Sequence, residues 1–186
     1  MALSNVVIKS RTASLNIDAY NRTAVCDESI DNGCVFALKE YSKTEGEDIV
    51  WKAAKATSNE KGLWMATSPE VVITRVMEGE GSVPSLDYKG IVNDPRAFTN
   101  LAGMMIDATY MAVGDIFEMT CAGLTFTGET DTYLVPDYDV SYKLKGATSA
   151  GTGTALRKVG TSFLHIGNGA IVKAPVTTYK FVVEAN

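Results

Sequence analysis

Thr178-Tyr179-Lys180-Phe181-Val182-Val183-Glu184 decides the fold class. Tyr179, Phe181 and Val183 alternate with Lys180, Val182 and Glu184, which is the period of a sheet strand with one buried face. Working back along the chain, short runs rich in Val, Ile, Thr, Tyr and Phe recur between Gly, Asn, Asp, Ser and Pro, and helical periodicity is hard to find. Strands are expected over 5–9, 13–19, 34–41, 49–54, 63–66, 70–76, 115–121, 132–135, 140–145, 162–166, 170–173 and 178–184. About a dozen strands at such spacing imply an all-β domain, an antiparallel β-barrel or β-sandwich.

Asn32-Gly33, just before the 34–41 run, is a hairpin signal because both residues tolerate positive φ. Gly114-Asp115 and Gly167-Asn168-Gly169 read as further tight turns. One helical start stands out: Asp94-Pro95-Arg96-Ala97-Phe98 places Asp at the N-cap and Pro at N1, with Gly103 to close a short helix across one end of the barrel. Residues 78–88 and 146–154 carry too little apolar surface to offset the ordering of their backbone, and both are expected to be mobile loops unless a partner holds them. Neither half of the chain on either side of them has a complete core of its own. The reading is therefore one β-rich domain over residues 1–186, with an extended N-terminal arm at 1–10.

The composition fits that size: 186 residues, 46% hydrophobic and 21% charged, with a net charge of −5. The pI near 4.9 gives no overall attraction to phosphate backbones or anionic lipid, so neither nucleic acid nor membrane is expected as a direct partner. Apolar runs such as Val71-Val72-Ile73 are far short of the roughly 20 residues a membrane helix needs. The N-terminus reaches Lys9 after only three consecutive apolar residues, unlike a secretory signal, and reads as the mature start of a cytoplasmically made protein.

Catalysis finds little to work with. The single histidine, His165, would have to serve any serine or cysteine nucleophile, yet it lies in a strand-like run with Phe163 on its own face and Leu164 and Ile166 on the other, where a packed, hydrogen-bonded imidazole is expected. Cys26, Cys34, Cys121 and His165 match no compact zinc knuckle, so the thiols read as small core hydrophobes. Glu129, Asp131, Asp137 and Asp139 lack the EF-hand core pattern and read as a solvated strand edge. The glycines of 146–153 have neither the lysine of a phosphate loop nor the third glycine of a dinucleotide fingerprint. No catalytic residue, cofactor or metal is assigned.

Trp51, Trp64 and Met65 pose a different question. In Leu63-Trp64-Met65-Ala66, successive large apolar residues must point to opposite sides of a strand, so either both sides are buried or one is a contact surface of the kind that uses Trp and Met as anchors.

Three segments carry a resemblance: Leu63-Trp64-Met65-Ala66-Thr67-Ser68-Pro69-Glu70-Val71-Val72, Asn93-Asp94-Pro95-Arg96-Ala97-Phe98-Thr99-Asn100, and Val113-Gly114-Asp115-Ile116-Phe117-Glu118-Met119-Thr120. Together with the closing 178–186 stretch, they resemble the head decoration, or capsid cement, proteins of tailed bacteriophages, over a span from about Leu38 to the C-terminus. The resemblance implies a non-enzymatic virion protein that binds the major capsid protein shell, on the outer surface of the head, and that self-associates. Trp64, Met65, Asp94, Arg96, Phe98 and Asn100 are then the candidate interface residues. A tail or baseplate component shares the same character. A carbohydrate-binding β-sandwich, stacking sugars on exposed Trp or Tyr beside the carboxylates of 131–139, is the alternative of a different class.

Overall fold

The computed structural model describes residues 3–14, 18–42, 49–76, 85–91, 94–168, 171–172 and 175–186. The architecture is all-β, and the only helical turns among those residues are short 3-10 turns at Lys9–Arg11, Asp18–Tyr20 and Pro95–Ala97. Strands β1 (Asn21–Val25), β3 (Val50–Ala54), β2 (Val35–Ser42), β4 (Trp64–Ala66) and β7 (Met105–Tyr110) close, in that order, into a five-stranded barrel. All its pairs are antiparallel except β1 with β3. A second, five-stranded sheet runs β10 (Leu144–Ala147), β9 (Tyr133–Pro136), β11 (Ala155–Leu164), β14 (Val176–Ala185), β8 (Ile116–Met119). Two hairpins, β5 (Val71–Val76) with β6 (Ser85–Ile91) and β12 (Gly167–Asn168) with β13 (Ile171–Val172), form sheets of their own.

Side-chain alternation builds two adjoining cores from these strands. Phe36, Ala66, Ile106, Ala108, Ala24 and Ala53 fill the barrel, with Cys26 and Cys34 beside them. The opposite faces of the same barrel strands, Val35, Ala37 and Met65, pack onto Phe117, Met119, Leu134, Leu156, Phe181 and Val183 of the second sheet. Burying Phe181 and Val183 completely is what the 178–184 alternation predicts.

The 63–66 run is thus a wall between two cores: Met65 is paired with Val35 and faces the sheet, while Trp64 and Ala66 face the barrel lumen. A chain segment apolar on both sides suits that place. The asparagine closing the chain ties the two layers further, since Asn186 Oδ1 accepts from Leu63 N at 2.9 Å and Thr154 Oγ1 at 2.8 Å. Its Nδ2 donates to Leu63 O at 3.1 Å and Met111 O at 2.7 Å.

Several expectations change. The Asp94 N-cap is present, but the helix is one 3-10 turn, Pro95–Ala97, ended by Phe98 in extended conformation; Gly103, at φ 76°, serves a separate turn before β7. Residues 3–10 do not extend as an arm. Val6, Val7 and Ile8 are buried, Val7 bridges Met119, and Ile8 N donates to Glu118 O at 2.8 Å, so the segment covers the edge of β8. Of the two expected loops, Ser85–Ile91 is strand and 78–84 lies outside the described residues. The other loop is tied down at both ends: Gly146 belongs to β10, and Thr154 is fully buried, receiving at its main-chain N–H the Tyr138 hydroxyl as acceptor at 2.9 Å. Of the Gly167-Asn168-Gly169 turn, Gly167–Asn168 pairs as β12, and Gly169 lies outside the described residues.

Candidate functional site

Asp94 and Arg96 satisfy each other within their turn. Asp94 Oδ1 accepts from Arg96 N and Nε, each at 3.1 Å, and Oδ2 accepts from Nη2 at 3.0 Å. A forked guanidinium–carboxylate pair of this kind fixes the turn's shape, and what it presents outward is the chain that follows. Asn100 is 4% exposed and structural: it exchanges main-chain hydrogen bonds with Ile30, and its Nδ2 donates to Ile30 O at 3.1 Å and Asn32 Oδ1 at 3.2 Å. Asn32 Nδ2 in turn donates to Ser68 O at 2.8 Å. This buried amide network holds the 94–100 segment against the turn before β2 and the strand exit after β4.

The result is an apolar groove of about 410 Å³ between that segment, the chain at Ser68-Pro69 and the start of β7. Phe98, Leu101, Met104, Met105 and Pro69 line it, with Asp107 at its rim. Leu101 is 55% exposed and Met105 62% exposed, an apolar display that water disfavours. Two of the candidate residues line this groove, Phe98 as a half-buried side chain and Asn100 as a buried one. Leu101, Met104 and Met105 carry no signal in the sequence that marks them as exposed; their exposure is set by the fold.

Trp64 and Met65 do not join them at the surface. Met65 is fully buried. Trp64 is half-buried, edge-on to Tyr110 with ring centroids 5.3 Å apart, with the Arg22 guanidinium 6.0 Å from its ring centre. Tyr20 stacks on the other side of Tyr110 at 5.2 Å. Trp51 contributes to a separate aromatic pair, its ring 4.1 Å from that of Tyr41, which is 56% exposed. Among the described residues, Trp51 Nε1 is buried with no acceptor.

The titratable groups fall in several separate places, with only Cys26 and Cys34 sharing one core. His165 is exposed, just past the end of β11, rather than packed; Leu164 and Ile166 do turn to the more buried side. Cys121 lies in the core between the layers and Cys26 and Cys34 in the barrel core. Burial pushes the Cys34 and Cys121 thiols up to about 12, which removes their nucleophilicity at neutral pH. Asp137 is held below the usual carboxylate range, first by its hydrogen bond from Lys145 at 2.9 Å and also by Ser141. Asp131 instead accepts from Thr127 N at 2.6 Å. These carboxylates organise their own turns. Among the described residues no three of His, Cys, Asp and Glu converge as a metal site.

Compared with known proteins, the chain matches no family model, no curated protein and no solved structure.

Proposed function

We propose that the protein is a structural virion protein of a tailed bacteriophage, a head decoration protein that binds the major capsid protein shell and stabilises it. The observation that carries this reading is the exposed apolar groove at Phe98, Leu101 and Met105, built on the 94–100 segment that bears part of the resemblance. The segment is held by buried amides and a forked ion pair, so it is preorganised and costs little ordering on contact. Weak contacts of this size, repeated over identical capsid subunits, add through multivalency, and a molecule bridging neighbours opposes their separation. The net charge of −5 favours the outer surface of a shell over its DNA-facing interior.

Cryo-electron microscopy of purified virions tests the reading. Density for this chain on the head is the expected result, density on the tail supports the baseplate alternative, and absence from virions rejects both. One observation favours the carbohydrate reading: exposed Tyr41 packs on Trp51 with ring centroids 4.1 Å apart, an aromatic surface on which a sugar ring could stack. A glycan screen with a clear binder, abolished by Trp51→Ala, would promote it.

A further inference from the structure

Sheet edges are templates for further pairing, and proteins usually cover them. In the second sheet two are covered. The N-terminal segment bridges β8 through Val7 and Ala13, and Thr125 bridges Lys145 of β10. A third edge has no strand laid on it among the described residues. β9 pairs with β11 only at Leu156 and Arg157, and Lys158 N donates to Thr132 O at 2.8 Å, so the rest of β11, from Val159 to Leu164, runs on beyond β9 with β14 on its other side. Among the described residues the one further partner given to this stretch besides β14 is Arg11, whose Nη1 donates to Phe163 O at 3.1 Å and reaches Ser162 Oγ at 3.4 Å.

One face of the free stretch carries Val159, Thr161 and Phe163, all exposed, Val159 by 48% and Phe163 by 54%. No charged residue or proline interrupts 159–164, and the one irregularity of β11 against β14 here, between Lys158 and Gly160, falls at the start of the stretch and leaves Gly160 to Leu164 in continuous register. The order of those residues is self-complementary about Thr161. In an antiparallel pair of two copies with Thr161 on the axis, Val159 of each faces Phe163 of the other, and the two Thr161 side chains face one another. Aromatic with β-branched and Thr with Thr are the favourable cross-strand combinations. The geometry points to a two-fold dimer in which β11 of one copy pairs edge to edge with β11 of a second copy through Val159-Gly160-Thr161-Ser162-Phe163.

Such an interface is isologous and closes on itself, so it yields dimers rather than fibres. It is also small, which makes the pairing weak and reversible in solution. It names the surface for the self-association that the decoration reading expects, but it stands on strand geometry and is tested without capsids.

Sedimentation velocity of the purified full chain over a rising concentration series should show a monomer–dimer equilibrium in the micromolar range, and Phe163→Lys should weaken it at least tenfold. A chain that stays monomeric throughout, or a dimer indifferent to Phe163→Lys, overturns the proposal. Thr161→Cys gives a second reading that does not depend on the lysine variant folding. Opposed Cα atoms in an antiparallel pair lie about 4.5–5.5 Å apart, within disulfide range, so a mild oxidant should link two copies. Glu184→Cys, an exposed position of β14 outside the proposed seam, serves as the control and should link more slowly. Equal rates reject the register. Dimers without capsid binding would count against the decoration reading alone, and capsid binding by a strict monomer against this one alone.

Discussion

Glu118 is the most consequential single residue in the sheet. Its side chain is fully buried, yet it is a carboxylate: Oε1 accepts from Arg11 Nη1 at 2.7 Å and from Thr178 Oγ1 at 2.6 Å, with Lys180 Nζ 3.8 Å from Oε2. Burial pushes its pKa up, but the hydrogen bonds from Thr178 and Arg11 and the charges of Arg11 and Lys180 outweigh it, and the group titrates below the usual range. A depressed folded pKa means stability that is present above the unfolded value, near 4.3, and lost as pH falls through the folded one. Arg11→Met should therefore cost about 3 kcal/mol at neutral pH, because it strips the main partner from a buried charge. The gap between wild type and variant should narrow as pH falls through the carboxylate range, since protonation removes the charge that needed pairing. Urea unfolding at pH 7 and pH 3.5 measures both values, and a gap that does not change with pH would sink the assignment. The sequence could not announce this pair. Arg11 and Glu118 are 107 residues apart, and Glu118 occupies an outward-looking position in an ordinary strand run until the N-terminal segment lies down beside it.

At the level of elements, strands that carry large apolar side chains are legible, the 63–66, 115–121 and 132–135 readings among them as β4, β8 and β9, and one built on small and polar residues is not. The 34–41, 49–54, 70–76 and 178–184 readings correspond to β2, β3, β5 and β14. Asn21–Val25 has one large apolar residue, and its buried position is an alanine, Ala24, which looks nothing like a core face until the small barrel lumen is known. Met105–Tyr110 was hidden by Gly103, which the helix reading used as a stop. Asn32-Gly33, expected as a hairpin, is a turn, with Gly33 at φ 81° and Cys34 N donating to Asp31 O at 3.2 Å, but it joins no paired strands, since β1 pairs with β3 and β7 and not with β2. Its tight neighbour was not foreseeable, because a Cβ there would strike the Asn5 side-chain amide and come within 3.3 Å of Val7 Cγ2. Asn5 Oδ1 accepts from Cys121 N at 2.8 Å, so pushing it aside loosens the N-terminal segment from the sheet. Gly33→Ala should destabilise by about 2 kcal/mol, of which roughly 1 is left-handed backbone strain. Gly62→Ala, at φ 73° with open space around it, should show the strain alone. Equal losses in thermal unfolding of the two variants would show that the Asn5 contact is immaterial.

At the scale of the whole molecule, the choice between barrel and sandwich is open in the sequence because the protein uses both layers, and two strands apolar on both sides, β2 and β4, join them. Its candidate surface was only half legible for the same reason. Trp64 and Met65 stood out by size and went to the two cores, whereas the groove drew on Leu101, Met104 and Met105 from a stretch with no periodicity to mark it. Exposure separates contact from packing here, and it is a property of the assembled fold. If the groove seats a capsid subunit, Leu101→Asp with Met105→Asp should leave the monomer's stability within about 0.5 kcal/mol, since both side chains are already in water. Each residue buried on contact is worth about 1.5 kcal/mol, close to tenfold in affinity, so the pair should weaken each contact by about a hundredfold, and multivalent attachment multiplies the loss. Co-sedimentation with purified undecorated shells reads this directly, with Val140→Asp as the control because Val140 is 68% exposed in a turn outside the groove. Normal decoration by the double variant would move the capsid contact to another face of the protein; loss in the double variant with binding retained in the control would assign it to the groove.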